Sequence, residues 1–309
     1  MWDAVGITSV LIYGINVVVV KVALRHCGVL TFTAARWLLG GVLLLALAKA
    51  MPRAGAQEPP LPKLKIAVAA FVGVVINQIA FSEAVRHTTA TDVTLIIGAT
   101  PLVIAVWLAL ATREPLARGL WAVLAIGAAG LVLVVFGGGS EGGTRHLSGD
   151  ALAAAALAAW AAYILMVNGM VRGRDTLRLA GIVSVAGGAM LLIPAIPATI
   201  ASPPDGSLQL VLLFSTSAVL ATGVATGAYY AALLRLGSTR MATFQYLQPF
   251  VGVVAAWIAL SERLTALQLA GGVIVMLALW RTPRQHDDGE PGEPITGAAQ
   301  VAAGTTPAR

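Results

Sequence analysis

Long apolar runs alternate with short polar stretches along the chain from Ala4 to Trp280. A bilayer's hydrocarbon core takes about 20 mostly apolar residues of helix to cross. Ten segments approach that length: Ala4–Leu24, Val29–Ala48, Ile66–Ala84, Val93–Ala111, Gly119–Phe136, Ala151–Val171, Leu179–Ile200, Leu208–Leu234, Met241–Leu260 and Leu264–Trp280. None carries the polar stripe expected of a helix on a water-soluble protein. The pattern therefore predicts an all-α membrane protein of ten transmembrane helices, with short connections that pack neighbours antiparallel. Two stretches fall outside this pattern. Residues 137–150 (GGGSEGGTRHLSGD) are expected to form a flexible glycine-rich connection. Residues 282–309 are rich in Pro, Gly, Thr and acids and are expected to be a disordered cytoplasmic tail.

Composition agrees with lipid as the main solvent. The 309 residues are 58% hydrophobic and 11% charged, against roughly half and a quarter in soluble domains. A net charge of +6 invites a nucleic-acid reading, yet the basic residues are scattered between apolar runs and form no basic face. Membrane orientation explains them better. With the N-terminus inside, the inner loops and ends hold 13 Lys and Arg and the outer loops hold 5, so both termini should be cytoplasmic in a multi-pass inner (plasma) membrane protein. The first apolar run ends in Lys21, Leu24 and Arg25 without a small-residue cleavage site, so it reads as a retained helix. Cys27 is the single cysteine, which excludes an intrachain disulfide.

The chain also matches itself at an offset of 148 residues: Ala84 with Ala232, Pro101 with Pro249, Glu114 with Glu262 and Leu116 with Leu264. Apolar matches are cheap in such a chain, whereas a Pro and a Glu at fixed spacing are not. The repeat divides the chain into 1–136 and 151–281, five helices each. An odd number of crossings sends the second copy into the membrane from the opposite side. The expected fold is thus two inverted five-helix repeats, an arrangement that lets a carrier exchange an outward-open for an inward-open cavity.

Several motifs together carry a family resemblance. They are Tyr13-Gly14-Ile15-Asn16 through Lys21, Ala35-Arg36, the repeated Ala84…Pro101…Glu114 and Ala232…Pro249…Glu262, and glycines near Gly127 and Gly271 in the last helix of each half. In these the chain resembles the EamA-domain transporters of the drug/metabolite transporter superfamily. That resemblance implies a ten-helix bundle around a central cavity and the export or uptake of amino acids, related metabolites or drugs. The spacing departs from regularity in one place, where Gly127 follows Glu114 by 13 residues and Gly271 follows Glu262 by 9.

Candidate transport residues follow from the cost of polar groups in lipid. Arg36 sits inside the second apolar segment, where a cation costs about 2.5–3.5 kcal/mol on insertion scales, so it must face a cavity or a partner. Two roles fit it: holding a substrate carboxylate, or fixing helix packing through a buried pair or carbonyls. Asn16 lies deeper than Lys21, and five residues of helix set the two roughly 140° apart. Asn16 is the better cavity residue, and Lys21 fits either substrate attraction or an orientation signal. Asn77 and Gln78, Trp160 and Tyr163, Thr226 and Tyr229 (with Thr222 in an i, i+4, i+7 stripe), and Gln245 and Gln248 should also point into the bundle. Interhelical hydrogen bonding and a substrate cavity both account for them, and converging aromatic and amide groups favour the cavity. Pro101 and Pro249 should kink their helices as hinges or fixed bends, while Glu114 and Glu262 read as structural caps or ion-pair partners near helix ends.

No Asp or Glu lies near a helix midpoint, as a proton relay would require. Weak proton coupling or facilitated passage is expected unless Glu83 or Asp92 reaches the cavity. Enzyme chemistry is disfavoured. The four histidines fall in loops, ends or the tail, no His-Glu-x-x-His occurs, and the only adjacent acidic pair, Asp287-Asp288, is in the tail. No cofactor or metal is expected. The partners are a small-molecule substrate and the lipid bilayer. The expectation is a secondary transporter of a small amino-acid-like or related metabolite, acting as an exporter. The alternatives are multidrug efflux of hydrophobic compounds, a passive channel and a membrane scaffold.

Overall fold

The computed structural model describes residues 1–50, 60–100, 103–104, 107, 118–137, 147–171, 174–236, 241, 244–245 and 247–281. Among these the protein is all helix. In chain order the helices are α1 (Trp2–Ala23), α2 (Val29–Ala50), α3 (Lys63–His87), α4 (Ala90–Gly98), α5 (Arg118–Gly137), α6 (Leu147–Val171) and α7 (Thr176–Ala201). They continue with α8, wound in three stretches (Leu208–Ser215, Thr216–Ala225 and Thr226–Leu236), then α9 (Leu247–Leu260) and α10 (Ala266–Arg281). Six stretches are long and apolar enough to cross a bilayer: α1, α2, α3, Leu147–Val167 of α6, α7, and Leu208–Ala232 of α8. The apolar stretches in α5, α9 and α10 are shorter. Large aliphatic side chains face outward, Ile193 being 79% and Ile258 70% exposed. A multi-pass membrane protein would turn such a surface toward lipid.

The helices alternate in direction. His26 meets Asp205, Lys21 meets Thr88 and Glu262, Thr88 meets Asp150, and Thr265 meets Gly137. These contacts gather five connections at one end of the bundle, called here the Lys21 end. At the opposite end Arg174 reaches the Pro60 carbonyl and Arg235 lies over the Trp2 ring. Across the bundle α2 packs on α7, α5 on α10 and α4 on α9. In addition α1 packs on α8 and α9, α6 on α3 and α4, α2 on α8, and α7 on α3.

Glycine permits the closest of these approaches, as is usual where lipid supplies no hydrophobic drive between helices. A Cβ on Gly41 would sit 2.8 Å from the Val185 amide, and one on Gly271 only 2.5 Å from the Gly130 carbonyl. The glycine opposite Gly271 is thus Gly130, one turn beyond the Gly127 that the sequence pattern singles out. Two further boundaries differ from expectation. Helix α6 begins at Leu147, inside the expected connector, with Asp150 in its first turn, where a carboxylate suits the helix dipole. Helix α4 breaks at Gly98–Ala99, before Pro101. The Ala99 amide turns to Ile96 O and the Thr100 hydroxyl donates to Ile97 O, the carbonyl that an N–H at Pro101 would have capped in a continuous helix.

Both α3 and α8 contain π-helical winding, at Phe71–Ile76 and Thr216–Ala225. In α8 the wide turns are braced by hydroxyls that donate five residues back, Thr222 to Ser217 O and Thr226 to Ala221 O. The i, i+4, i+7 stripe expected through Thr222, Thr226 and Tyr229 assumes uniform α-winding and does not hold across this stretch.

The glycine seam between α5 and α10 predicts a specific cost. Gly271→Val should destabilise the protein by about 1–3 kcal/mol through overpacking, read as a lower melting temperature in detergent. Gly28→Ala, whose Cβ would meet nothing nearer than 3.8 Å, should leave melting unchanged.

Candidate functional site

A buried cation organises the middle of the bundle. Arg36 is only 3% exposed. One terminal nitrogen donates to Gln78 Oε1 and the other approaches Ser217 Oγ at 3.4 Å. The network then spreads in two directions. Ser217 donates to Asn16 Oδ1 at 2.7 Å, while Gln78 donates to Asn77 Oδ1 and Asn77 to the Ala156 carbonyl at 2.7 Å. Residues from α1, α2, α3, α6 and α8 thus meet in one polar layer. The guanidinium carbon lies 5.7 Å from the Phe32 ring centroid and 5.6 Å from that of Trp37. Among the described residues no carboxylate pairs with Arg36, and its Nε–H and the Trp37 indole N–H are buried without partners.

An aromatic layer begins one helical turn away on α1. Tyr13 donates to Thr226 Oγ1 at 3.0 Å, and its ring lies 6.3 Å from that of Tyr229. Tyr229 stacks edge-on with Tyr230 and accepts a bond from Gln245 Nε2 at 2.6 Å. Trp160 and Tyr163 of α6 are 5.0 Å apart, and the Tyr163 hydroxyl lies within electrostatic range of Tyr13 and Tyr230. Tyr13, Tyr163 and Tyr230 are surrounded by protein and still keep accessible surface.

Of the candidates, Asn16, Arg36, Asn77 and Gln78 meet in the polar layer, and Trp160, Tyr163, Thr226, Tyr229 and Gln245 in or beside the aromatic one. Gln248 is half-buried on α9, with its carbonyl against Gly14. Pro249 stands near the start of α9, buried against Gly98 at the break in α4. Pro101 and Glu114 lie outside the described residues. Sequence reasoning missed Ser217 and Tyr230 and used Tyr13 only as part of a motif. Ser217 carried a usable signal, as the last of three successive hydroxyls, Ser215-Thr216-Ser217, inside a long apolar segment.

The Lys21 end is closed by a second polar network. Lys21 Nζ donates to the Thr88 carbonyl at 2.7 Å and to Glu262 at 2.9 Å. The Glu262 carboxylate also accepts the Ala90 and Thr91 amides, each at 3.0 Å, and so caps the start of α4. Glu262 is aimed there by the end of α9. Ser261 takes a left-handed conformation (φ 57°) and its amide donates to Trp257 O, as in an αL C-cap. Beside it the buried Asp92 accepts from Gln268 at 2.6 Å and from Thr89 at 2.7 Å. Thr265 and Gln268 form a reciprocal cap on α10. A cavity of about 570 Å³ also opens at this end, lined by Arg25, His26, Cys27, Glu83 and Arg86 among others. Burial pushes the Cys27 thiol up to about 11, away from its reactive range.

Burial alone would raise the Glu262 pKa, but the Lys21 charge and the hydrogen bonds from Lys21, Ala90 and Thr91 more than offset it and hold it below its usual 4.5. A carboxylate with a lowered folded pKa stabilises fully above its unfolded value and loses that contribution as pH falls through the folded one. Melting temperature should therefore carry a Glu262-dependent component that is constant at neutral pH and declines below about pH 4.5. Glu262→Gln should lower melting at pH 7 and remove that component from the acid limb. An unchanged acid limb would show that Glu262 does not supply it.

The comparisons with known proteins agree with this geometry. An uncharacterized transporter from Archaeoglobus fulgidus is 27% identical over 282 residues, covering 90% of this chain and 96% of that protein. The uncharacterized transporter YetK of Bacillus subtilis is 25% identical over 276 residues, covering 88% and 83%. One solved crystal structure shares the fold, with a TM-score of 0.62 at 18% identity over 91% of this chain and 95% of that one. The EamA-like transporter family matches residues 1–136 and again 147–282. Matched over nearly its whole helical length, this chain belongs to the EamA-like transporter family.

Proposed function

We propose that the protein is a secondary carrier of a small amino-acid-like or related metabolite, working outward across the inner membrane by alternating access of two inverted five-helix halves, residues 1–136 and 151–281. In this reading both termini are cytoplasmic and the Lys21 end faces outward, in keeping with the excess of Lys and Arg at the opposite end. The observation that carries it is the meeting of residues from both halves, Asn16, Arg36 and Gln78 with Ser217, in one polar layer inside an apolar bundle.

Two features support the inverted pairing. Exchanging α1–α5 with α6–α10 turns the α1–α9 contact into α6–α4, α3–α6 into α8–α1 and α2–α8 into α7–α3, and all these contacts occur. The π-helical stretch of α3, shifted by 148 residues, also falls within that of α8. π-Bulges are frequent at functional sites, and these flank the polar layer. Residues Pro101, Pro249, Glu114 and Glu262 are assigned structural roles, and the polar and aromatic layers line the substrate path. The closed network at the Lys21 end corresponds to a state shut on the outer side.

The test is flux in proteoliposomes, with amino acids and their carboxylic derivatives as probes. Saturable counterflow of at least one of them is expected, and it should persist when an imposed proton gradient is collapsed, since no carboxylate lies in the central layers among the described residues. Non-saturable flux would identify a channel, and strict dependence on the proton gradient would overturn the coupling mode.

A further inference from the structure

The charge balance at the central site points to one class of ligand, an inference that rests on the carrier reading above. We infer that the site binds a small organic monoanion, a carboxylate with an apolar or aromatic body and no ammonium group, with the anion on Arg36 and the body in the tyrosine layer.

Three observations carry this. Among the described residues the guanidinium is held by neutral acceptors, Gln78 Oε1 and Ser217 Oγ, with no carboxylate to compensate its charge. Such a charge deep in low dielectric is costly until an anion joins it. Its Nε–H remains unpartnered, as does the neighbouring Trp37 indole N–H. A guanidinium edge offering Nε–H beside a terminal N–H is the fork that a carboxylate grips bidentately.

The third observation concerns what is missing beside the cation. Of the described acidic residues, Glu83, Asp92, Asp150, Asp205 and Glu262 engage groups at the Lys21 end, and Asp175 caps the start of α7 at the other end. The aromatic layer offers Tyr13, Trp160, Tyr163, Tyr229 and Tyr230, with Thr226 and Gln245 as polar edges. A zwitterion would bring its own cation into a site that already holds one and, among the described residues, supplies no fixed negative charge. A simple acid neutralises the site instead. Its apolar body then meets rings, which suit a flat or aliphatic group.

Three ligands with one carbon frame separate the possibilities: 3-phenylpropionate (anion), phenylalanine (zwitterion) and 3-phenylpropylamine (cation). Equilibrium binding to the purified wild-type protein in detergent should favour 3-phenylpropionate over phenylalanine by at least tenfold, with no competition from the amine. Arg36→Gln should reduce 3-phenylpropionate to the level of neutral 3-phenylpropanamide, and Arg36→Lys should retain part of the preference. If the variants fail to fold, the wild-type order decides alone. Equal or tighter binding of phenylalanine, which would mean that tyrosine faces hold the ammonium, overturns the inference. So does absence of binding by all three, or an anion preference that survives Arg36→Gln. Saturable counterflow of other solutes without acid binding would sink this inference and leave the carrier reading standing. Acid binding without any flux would do the reverse.

Discussion

Hydrocarbon offers no water to a polar group, so each one carried into the bundle must find its partner there. Arg36 poses the most demanding case of this constraint. Its charge draws Gln78 and Ser217 directly, and through them Asn16, Asn77 and the Ala156 carbonyl. A single cation therefore fixes the relative positions of five helices drawn from both halves. Its solvation stays incomplete, with Nε–H unpartnered. A shell built for packing alone would be expected to finish that job, because a buried donor left unmade costs about 1–3 kcal/mol.

The two ends of the protein handle polarity differently. At the Lys21 end ion pair, helix caps and buried Asp92 interlock, so that connections distant in sequence hold one another. Toward the other end the tyrosines keep accessible surface and Gln245 sits exposed above Tyr229. The π-helical stretches of α3 and α8 lie next to the residues that join the layers, Asn77 and Gln78 following one and Ser217 lying within the other. Winding of this kind frees carbonyls from the regular ladder, and the Thr222 and Thr226 hydroxyls take two of them.

Much of this was legible in the sequence because the bilayer imposes a simple rule. Apolar runs marked the helices, and the cost of Arg36 in lipid placed it inward before any coordinates. Helical geometry sets Asn16 and Lys21 on different faces of α1, and in the structure one meets Ser217 and the other Glu262. Pairing was not legible. Lys21 and Glu262 are 241 positions apart, as the structure records, and nothing local announces that one residue caps α4 while neutralising another on α1. The π-winding of α8 was invisible too, because a hydroxyl bonding five residues back leaves no periodic trace. The choice of Gly130 over Gly127 depended on how α5 turns against α10, which tertiary packing settles.

The inverted relation of the halves is the premise on which the carrier reading stands, and the side of the membrane reached by two equivalent positions tests it most directly. His87 and Arg235 are exposed, end α3 and sit near the end of α8, and differ by the repeat offset of 148. In a Cys27→Ser background, His87→Cys and Arg235→Cys would each be treated with a membrane-impermeant maleimide in right-side-out and inside-out vesicles. Inverted halves require His87→Cys to react only from outside and Arg235→Cys only from inside. Reaction of both from the same face would contradict them.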